Sequence, residues 1–270
     1  MSTKISVLTP SVRPLGLEIV AKTLLKQTFK NWEWLICGPE KNRKAVKKVI
    51  GDIVPYTYLG NGPLKKGQFW DLNHSYNKLF KKAQGWAAIS LQDGIYLPPT
   101  ALERFLEALE GLVATEKTEK VVISGVGDQY ERLGQYGKPE IKNWGDPRKT
   151  KKYGSLYCAN WNDGEFNYAI LPKKLIFEIG GFDEEMDYRC RGVDAIQVME
   201  RLDAIGCLTF LDQSNESFSI QHGRGSYGGE KAWNDSHGLF MKGKTGLSIY
   251  DERKEELKKS GKWPHLDYLP

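Results

Sequence analysis

The sequence has no run of about 18 consecutive apolar residues, which excludes a conventional transmembrane helix. Its opening residues, MSTKISVLTP, lack the apolar core of a secretory signal. Cysteine is scarce: Cys37, Cys158, Cys190 and Cys207 are the four, and no two show the close CxxC spacing of a zinc site. Cys37 and Cys207 lie in apolar runs and are expected as buried free thiols. Such thiols suit a reducing compartment, so the expected location is cytoplasmic. Also absent are a GxSxG elbow, a GxxxxGKS/T phosphate loop and an HExxH pair. Gly125-Val126-Gly127 lacks the third glycine and the helix start of a dinucleotide fingerprint. There is no internal repeat and no low-complexity segment.

What is present is ordinary globular material. The 270 residues are 40% hydrophobic and 27% charged, long enough for a sizeable core. Eight Trp and thirteen Tyr offer faces for sugar rings or bases, and serve equally as core. A formal charge of +5 fits a polyanionic partner, a diphosphate ligand or a solvated basic surface. Lysines cluster at Lys41–Lys48, Lys65–Lys66 and Lys149–Lys152.

Short apolar runs at Ile5–Thr9, Trp34–Cys37, Thr57–Leu59, Trp86–Leu91 and Val121–Ser124 read as strands. Between them, apolar residues recur at helical spacing: Leu17, Val20, Leu24 and Leu25; Val46, Val49 and Ile50; Tyr76, Leu79, Phe80 and Ala83; Leu102, Phe105, Leu106 and Leu109. The alternation predicts an α/β fold with a largely parallel sheet. Ligands of such sheets bind beyond the carboxyl ends of the strands, which directs attention to Thr9–Arg13, Gly38–Glu40 and Gln92–Gly94. Residues 125–165, rich in Gly, Lys, Tyr and Asn, read as a long loop. A helix over Val193–Ile205, a strand over Cys207–Leu211 and a charged, exposed helix over Asp251–Lys259 are expected to follow.

Three residues stand where chemistry is plausible. Asp93 ends an apolar strand and could hold a divalent ion against a diphosphate, or simply form an Asp-Gly turn. His222 could ligate a transition metal or be a surface histidine, and Arg224 beside it could face phosphate oxygens. Asp194 opens a helix after Gly192, as a functional carboxylate or as a helix cap. Asp183 and Asp187 carry the same ambiguity.

Taken in order, four segments resemble the family 2 glycosyltransferases. They are Ile5–Pro14, Leu24–Ile36 (LLKQTFKNWEWLI), Trp86–Pro99 with Leu91-Gln92-Asp93-Gly94 at its centre, and Ile179–Glu184 followed by Gly192-Val193-Asp194 and Arg201-Leu202. The resemblance covers roughly residues 4–222. It implies a GT-A (Rossmann-like) domain over 1–222, with a C-terminal extension over 223–270 packing on or closing the active site. It implies transfer of a sugar from a nucleotide-sugar, UDP-linked by expectation, to an acceptor hydroxyl. Thr9, Pro10, Ser11 and Arg13 would cradle the nucleotide, with Gln68, Asn73, Gln92 and Asp93 completing the donor set. Asp93 and His222 would hold Mn2+ or Mg2+, and Asp194 would be the base of an inverting transfer. Arg224, Trp161 and Asp163 are further candidates toward acceptor or phosphate. The acceptor could be a saccharide, a protein or a nucleic acid such as a hydroxymethylated base. The chain departs from the family pattern where strand two ends Cys37-Gly38-Pro39 instead of in an Asp, where the metal motif is reduced to Gln92-Asp93-Gly94, and where Val193 replaces a Glu. A catalytically inactive domain that binds nucleotide or glycan is therefore the alternative.

Overall fold

Residues 5–10 are all buried, because the strand they form is covered on both faces. The computed structural model describes residues 5–66, 68, 71–133, 139–189, 194–220, 246–261, 263, 268 and 269. In chain order its elements are β1 (Ile5–Pro10), α1 (Pro14–Leu25), β2 (Trp32–Pro39), α2 (Arg43–Ile50), β3 (Thr57–Asn61), α3 (Leu72–Lys82), β4 (Ala87–Leu91), β5 (Ile95–Tyr96), α4 (Ala101–Glu116), β6 (Val121–Leu133), β7 (Pro139–Trp144), β8 (Leu156–Cys158), β9 (Tyr168–Pro172), α5 (Lys174–Glu178), α6 (Met186–Arg189), α7 (Asp194–Ala204), β10 (Leu208–Ile220) and α8 (Gly246–Ser260). Pro14 opens α1, where its fixed φ suits the first turn and its missing N–H is no loss.

The sheet runs β3-β2-β1-β4-β9-β6-β10-β5, with β7 on β6 and β8 on β10. The β1–β2, β2–β3, β1–β4 and β6–β10 pairs are parallel, and β9 opposes both β4 and β6. Strands β3, β2, β1, β4, β6 and β10 therefore share one direction. This is the mostly parallel α/β sheet that the strand–helix alternation predicts.

The pleat distributes the core over both faces. Ile5, Val7, Trp34, Ile36 and Ile89 join α1, α2 and α4 through Leu17, Val20, Leu24, Val46, Leu102 and Phe105. Leu8, Leu35, Cys37, Ala88 and Val122 meet α3, α5 and α7 through Tyr76, Phe80, Ile176, Val198 and Leu202. Among the described residues no helix is long and apolar enough to cross a membrane.

Two expectations are corrected. Residues 125–165 are not one long loop: β6 runs on to Leu133, and β7 and β8 follow. The glycines that suggested a loop are packing positions. A Cβ on Gly125 would meet the Tyr168 ring at 2.3 Å, and one on Gly127 the Ser217 hydroxyl at 2.6 Å. The C-terminal helix is longer than expected and not simply exposed. Tyr250 and Arg253 on α8 are buried, with Trp263 packing beside Tyr250 and Met186. Cys37 and Cys207 are buried free thiols as expected, and burial pushes them up to about 11 and about 12.

Candidate active site

The carboxyl ends of β1, β2 and β4 meet α3 around a cavity of about 130 Å³. Ser11 and Arg13 follow β1, Cys37 and Gly38 end β2, Gln92 and Asp93 follow β4, and Asp71 and Ser75 come from the start of α3. The chain passes very close to itself here: Ser11 N–H donates to Cys37 O at 2.8 Å. A Cβ on Gly38 would lie 2.0 Å from Ser11 O, so no side chain fits at that strand end. Gly38→Ala is expected to destabilise the fold by about 1–3 kcal/mol, the usual range for overpacking. It should also distort the cavity wall; urea unfolding reads the first effect and calorimetry with UDP the second.

Asp93 is buried and shared by two neighbours. Ser11 Oγ donates to its Oδ2 at 2.6 Å, and Arg13 N–H donates to Ser11 Oγ at 3.0 Å. Arg13 Nη2 lies 2.5 Å from Asp93 Oδ1 as an ion pair, and Oδ1 has no well-aligned hydrogen bond. Burial pushes the carboxyl up from 3.8 to about 6, against the opposing pull of Arg13 and Ser11. The folded state thus binds more protons than the unfolded chain between those two values, and stability falls as pH rises through that window. Relative to Asp93→Asn, the wild type should lose about 2 kcal/mol between pH 4 and pH 7, read from denaturant midpoints. A difference that stays constant with pH would show that Asp93 titrates normally.

A buried carboxylate suits a cation, and here Arg13 already stands against it. Among the described residues, however, no three His, Cys, Asp or Glu side chains are grouped to share a metal. The second expected ligand, His222, lies outside the described residues, as does Arg224. What precedes them is placed: Ile220 N–H donates to Gly94 O at 2.9 Å, so β10 ends beside Asp93-Gly94.

A second cavity of about 130 Å³ adjoins the first and shares Asp71 with it; Gln68, His74, Glu184 and Asp187 contribute to its wall. Asp187 accepts the N–H groups of Asn73 at 2.9 Å and His74 at 3.0 Å, and the Asn73 side-chain amide at 2.9 Å. A carboxylate from α6, distant in sequence, therefore caps α3. His74 Nδ1 lies 2.9 Å from Glu184, which raises the histidine above its ordinary value. Burial pushes Glu184 up, but the bonds from His74 and Asn77 outweigh it and hold the carboxyl low.

The same region holds α7. Gln197 Nε2 donates to Asn73 Oδ1 at 3.4 Å, which brings the first turn of α7 to the start of α3. Asp194 is the first described residue of that helix. Asn77 fixes the preceding loop: its side chain bonds Phe182 N and O at 2.7 and 2.9 Å. Gly181 has φ +89, and a Cβ there would lie 2.6 Å from Asn77 Oδ1, which explains the glycine pair.

Of the expected donor residues, Pro10, Ser11, Arg13, Gln92 and Asp93 line the first cavity and Gln68 the second. Thr9 lines neither; its hydroxyl accepts from Trp34 Nε1 at 3.0 Å inside the core. Asn73 is fully buried and engaged with Asp187. Trp161 and Asp163 form a 3-10 turn lining neither cavity, with Lys254 of α8 5.9 Å from the Trp161 ring centre. The basic run at 149–152 is partly neutralised, because Lys149 pairs with Asp128 at 2.9 Å and Glu216 at 3.0 Å. Asp71 and Ser75 were not singled out from the sequence, and Asp187 was read there only as a functional carboxylate or a cap. Asp71 looks like an ordinary helix cap there, and Asp187 is one acid in an acidic run.

No family model matches the sequence, and no curated protein sequence does. Solved structures are similar in fold. S. aureus TarS 1–349 superposes with a TM-score of 0.54 at 11% identity, over 80% of this chain and 60% of that one. TarS 1–349 in complex with UDP gives 0.54 at 11% identity, over 85% and 64%. The mannosyltransferase PcManGT from Pyrobaculum calidifontis, in complex with GDP-Man and Mn2+, gives 0.52 at 13%, over 83% and 59%. The likeness is that of a Rossmann-like GT-A fold, and this chain spans about three fifths of the length of those chains.

Proposed function

We propose that the chain is a glycosyltransferase that moves a sugar from a nucleotide-sugar, with a UDP-sugar as the expected donor, to an acceptor hydroxyl with inversion. The observation that carries this reading is the cavity at the ends of β1, β2 and β4, where Ser11, Arg13 and Asp93 are bonded together. It lies at the ligand-binding edge of a fold similar to those of proteins solved with UDP and with GDP-Man and Mn2+.

Each residue has a task in this reading. Arg13 would bind the diphosphate oxygens, with Pro10, Ser11 and Gln92 shaping the cradle. Asp93 and His222 would hold Mn2+ or Mg2+, which when bound supplies positive charge to the departing diphosphate. Asp194 would take the proton of the acceptor hydroxyl as its oxygen bonds the anomeric carbon. The bond from that carbon to the diphosphate breaks, and its electron pair leaves on the phosphate oxygen. Residues 1–222 would form the catalytic domain and 223–270 an extension packing on or closing the active site. A saccharide or protein hydroxyl is the favoured acceptor over a nucleic acid, because Lys142 and Lys149 are already paired with Asp128.

A screen of UDP- and GDP-sugars for nucleoside diphosphate release, with and without Mn2+, tests the reading. The second reading, a nucleotide-binding domain without turnover, is favoured by the Arg13 guanidinium standing against Asp93. UDP binding with no turnover of any donor would decide for it.

A further inference from the structure

We propose that Asp71 reads the nucleobase: its Oδ1 accepts the ring N–H of uracil or guanine and so selects against cytosine and adenine. In those two bases the corresponding ring nitrogen carries a lone pair, which a carboxylate repels. The assignment rests on the reading of the cavity as a nucleotide-sugar site.

Asp71 is only 6% exposed, yet it lines both cavities. It stands at the N-cap of α3, where an Asp ordinarily bonds the first free N–H groups of its own helix. Here its side chain makes no such bond. Asp187 accepts from Asn73 and His74 instead, so the helix start is satisfied without Asp71.

The carboxylate is nonetheless held in a fixed orientation. Asn61 Nδ2 donates to Asp71 Oδ2 at 2.7 Å, and also to Ser75 Oγ at 2.8 Å. Asn61 is itself fixed through its Oδ1, which accepts from Cys37 Sγ at 3.3 Å and Lys78 Nζ at 3.2 Å. Among the described residues no group bonds Asp71 Oδ1. Because Asp71 lines the cavity and its Oδ2 is taken by Asn61, Oδ1 is the oxygen left for a ligand N–H to bond. The other place for an acidic base contact, the end of β2, is closed because a Cβ on Gly38 would strike Ser11 O.

Calorimetry of the full chain with UDP, GDP, CDP and ADP tests the assignment, on the wild type, Asp71→Asn and Asp71→Ala. Wild type should bind UDP or GDP at least about 10-fold more tightly than CDP or ADP, the worth of one good hydrogen bond in a buried site. In Asp71→Asn the amide oxygen stays on Asn61 and the NH2 group points where Oδ1 was. UDP and GDP should weaken by about 10-fold or more, and CDP should gain relative to them. Asp71→Ala should erase the preference, with thermal unfolding reporting whether each variant is folded. Unchanged UDP affinity and preference in a folded Asp71→Asn would overturn the assignment and leave the functional reading intact. If neither variant folds, the wild-type series still decides: equal or tighter binding of CDP and ADP overturns it. Failure of the wild type to bind any of the four diphosphates overturns the functional reading, and the assignment with it.

Discussion

Replacing Asp194 with asparagine should lower the sugar-transfer rate by about 10²–10⁴-fold, the usual worth of a positioned general base. The amide keeps the shape of the carboxylate and cannot accept the acceptor's proton near neutral pH. UDP affinity and the donor KM should stay close to wild type, because the loss falls on the chemical step and not on ground-state binding. The placement of α7 motivates the expectation. Its first turn reaches Asn73 through Gln197, and Asn73 lies two residues from Asp71 in the wall of the first cavity. Single-turnover kinetics and calorimetry on the same preparation separate the two effects. Wild-type turnover by Asp194→Asn would remove this residue as the base.

The largest expected effect on stability is at Arg253. Asp183 is fully buried, and its Oδ2 is approached by Arg253 Nε at 3.3 Å and by Trp263 Nε1 at 3.0 Å. Its Oδ1 accepts the Glu185 N–H at 3.1 Å, and Arg253 also pairs with Glu185. Arg253→Ala would leave the Asp183 charge buried without its cationic partner. Breaking a buried pair in this way costs about 3–5 kcal/mol, whereas replacing both partners by apolar groups of similar volume is often neutral. Urea midpoints should therefore fall steeply for Arg253→Ala and much less for the double variant Asp183→Leu with Arg253→Met. Equal losses in the two would show that packing of α8, and not the charge pair, holds this corner.

The legible parts of the sequence are those where a local period and the final packing agree. β1, α1, β2, α3, β4 and α4 can be placed because their apolar residues face the two sides of one sheet at strand or helix spacing. β9 could not be placed, since the five-residue run Tyr168–Pro172 adjoins a helix and has no alternation of its own. Its identity comes from pairing with β4 and β6, neither of which is near it in sequence. The site was legible in the same way. Strand-end positions such as Ser11, Arg13 and Asp93 follow from topology. Thr9 falls on the alternate side of the pleat and turns its hydroxyl to Trp34. Asp183 and Asp187 look interchangeable in an acidic run, but one anchors the C-terminal helix and the other caps α3. That division is set by partners on α8 and α3, far away in the chain.

The position of β9 has a consequence for biosynthesis. Strands β1 to β4 are complete once residue 91 has left the ribosome, but the far edge of β4 has no partner until residues 168–172 follow. At about 5–20 residues per second, the roughly 77 residues between them take about 4–15 s to make. For that interval the nascent chain presents an apolar, unpaired strand, the kind of edge that recruits other chains. Heterologous production should therefore reward added chaperone and suffer when translation slows between residues 92 and 172, and nascent chains stalled before Tyr168 should be the aggregating species.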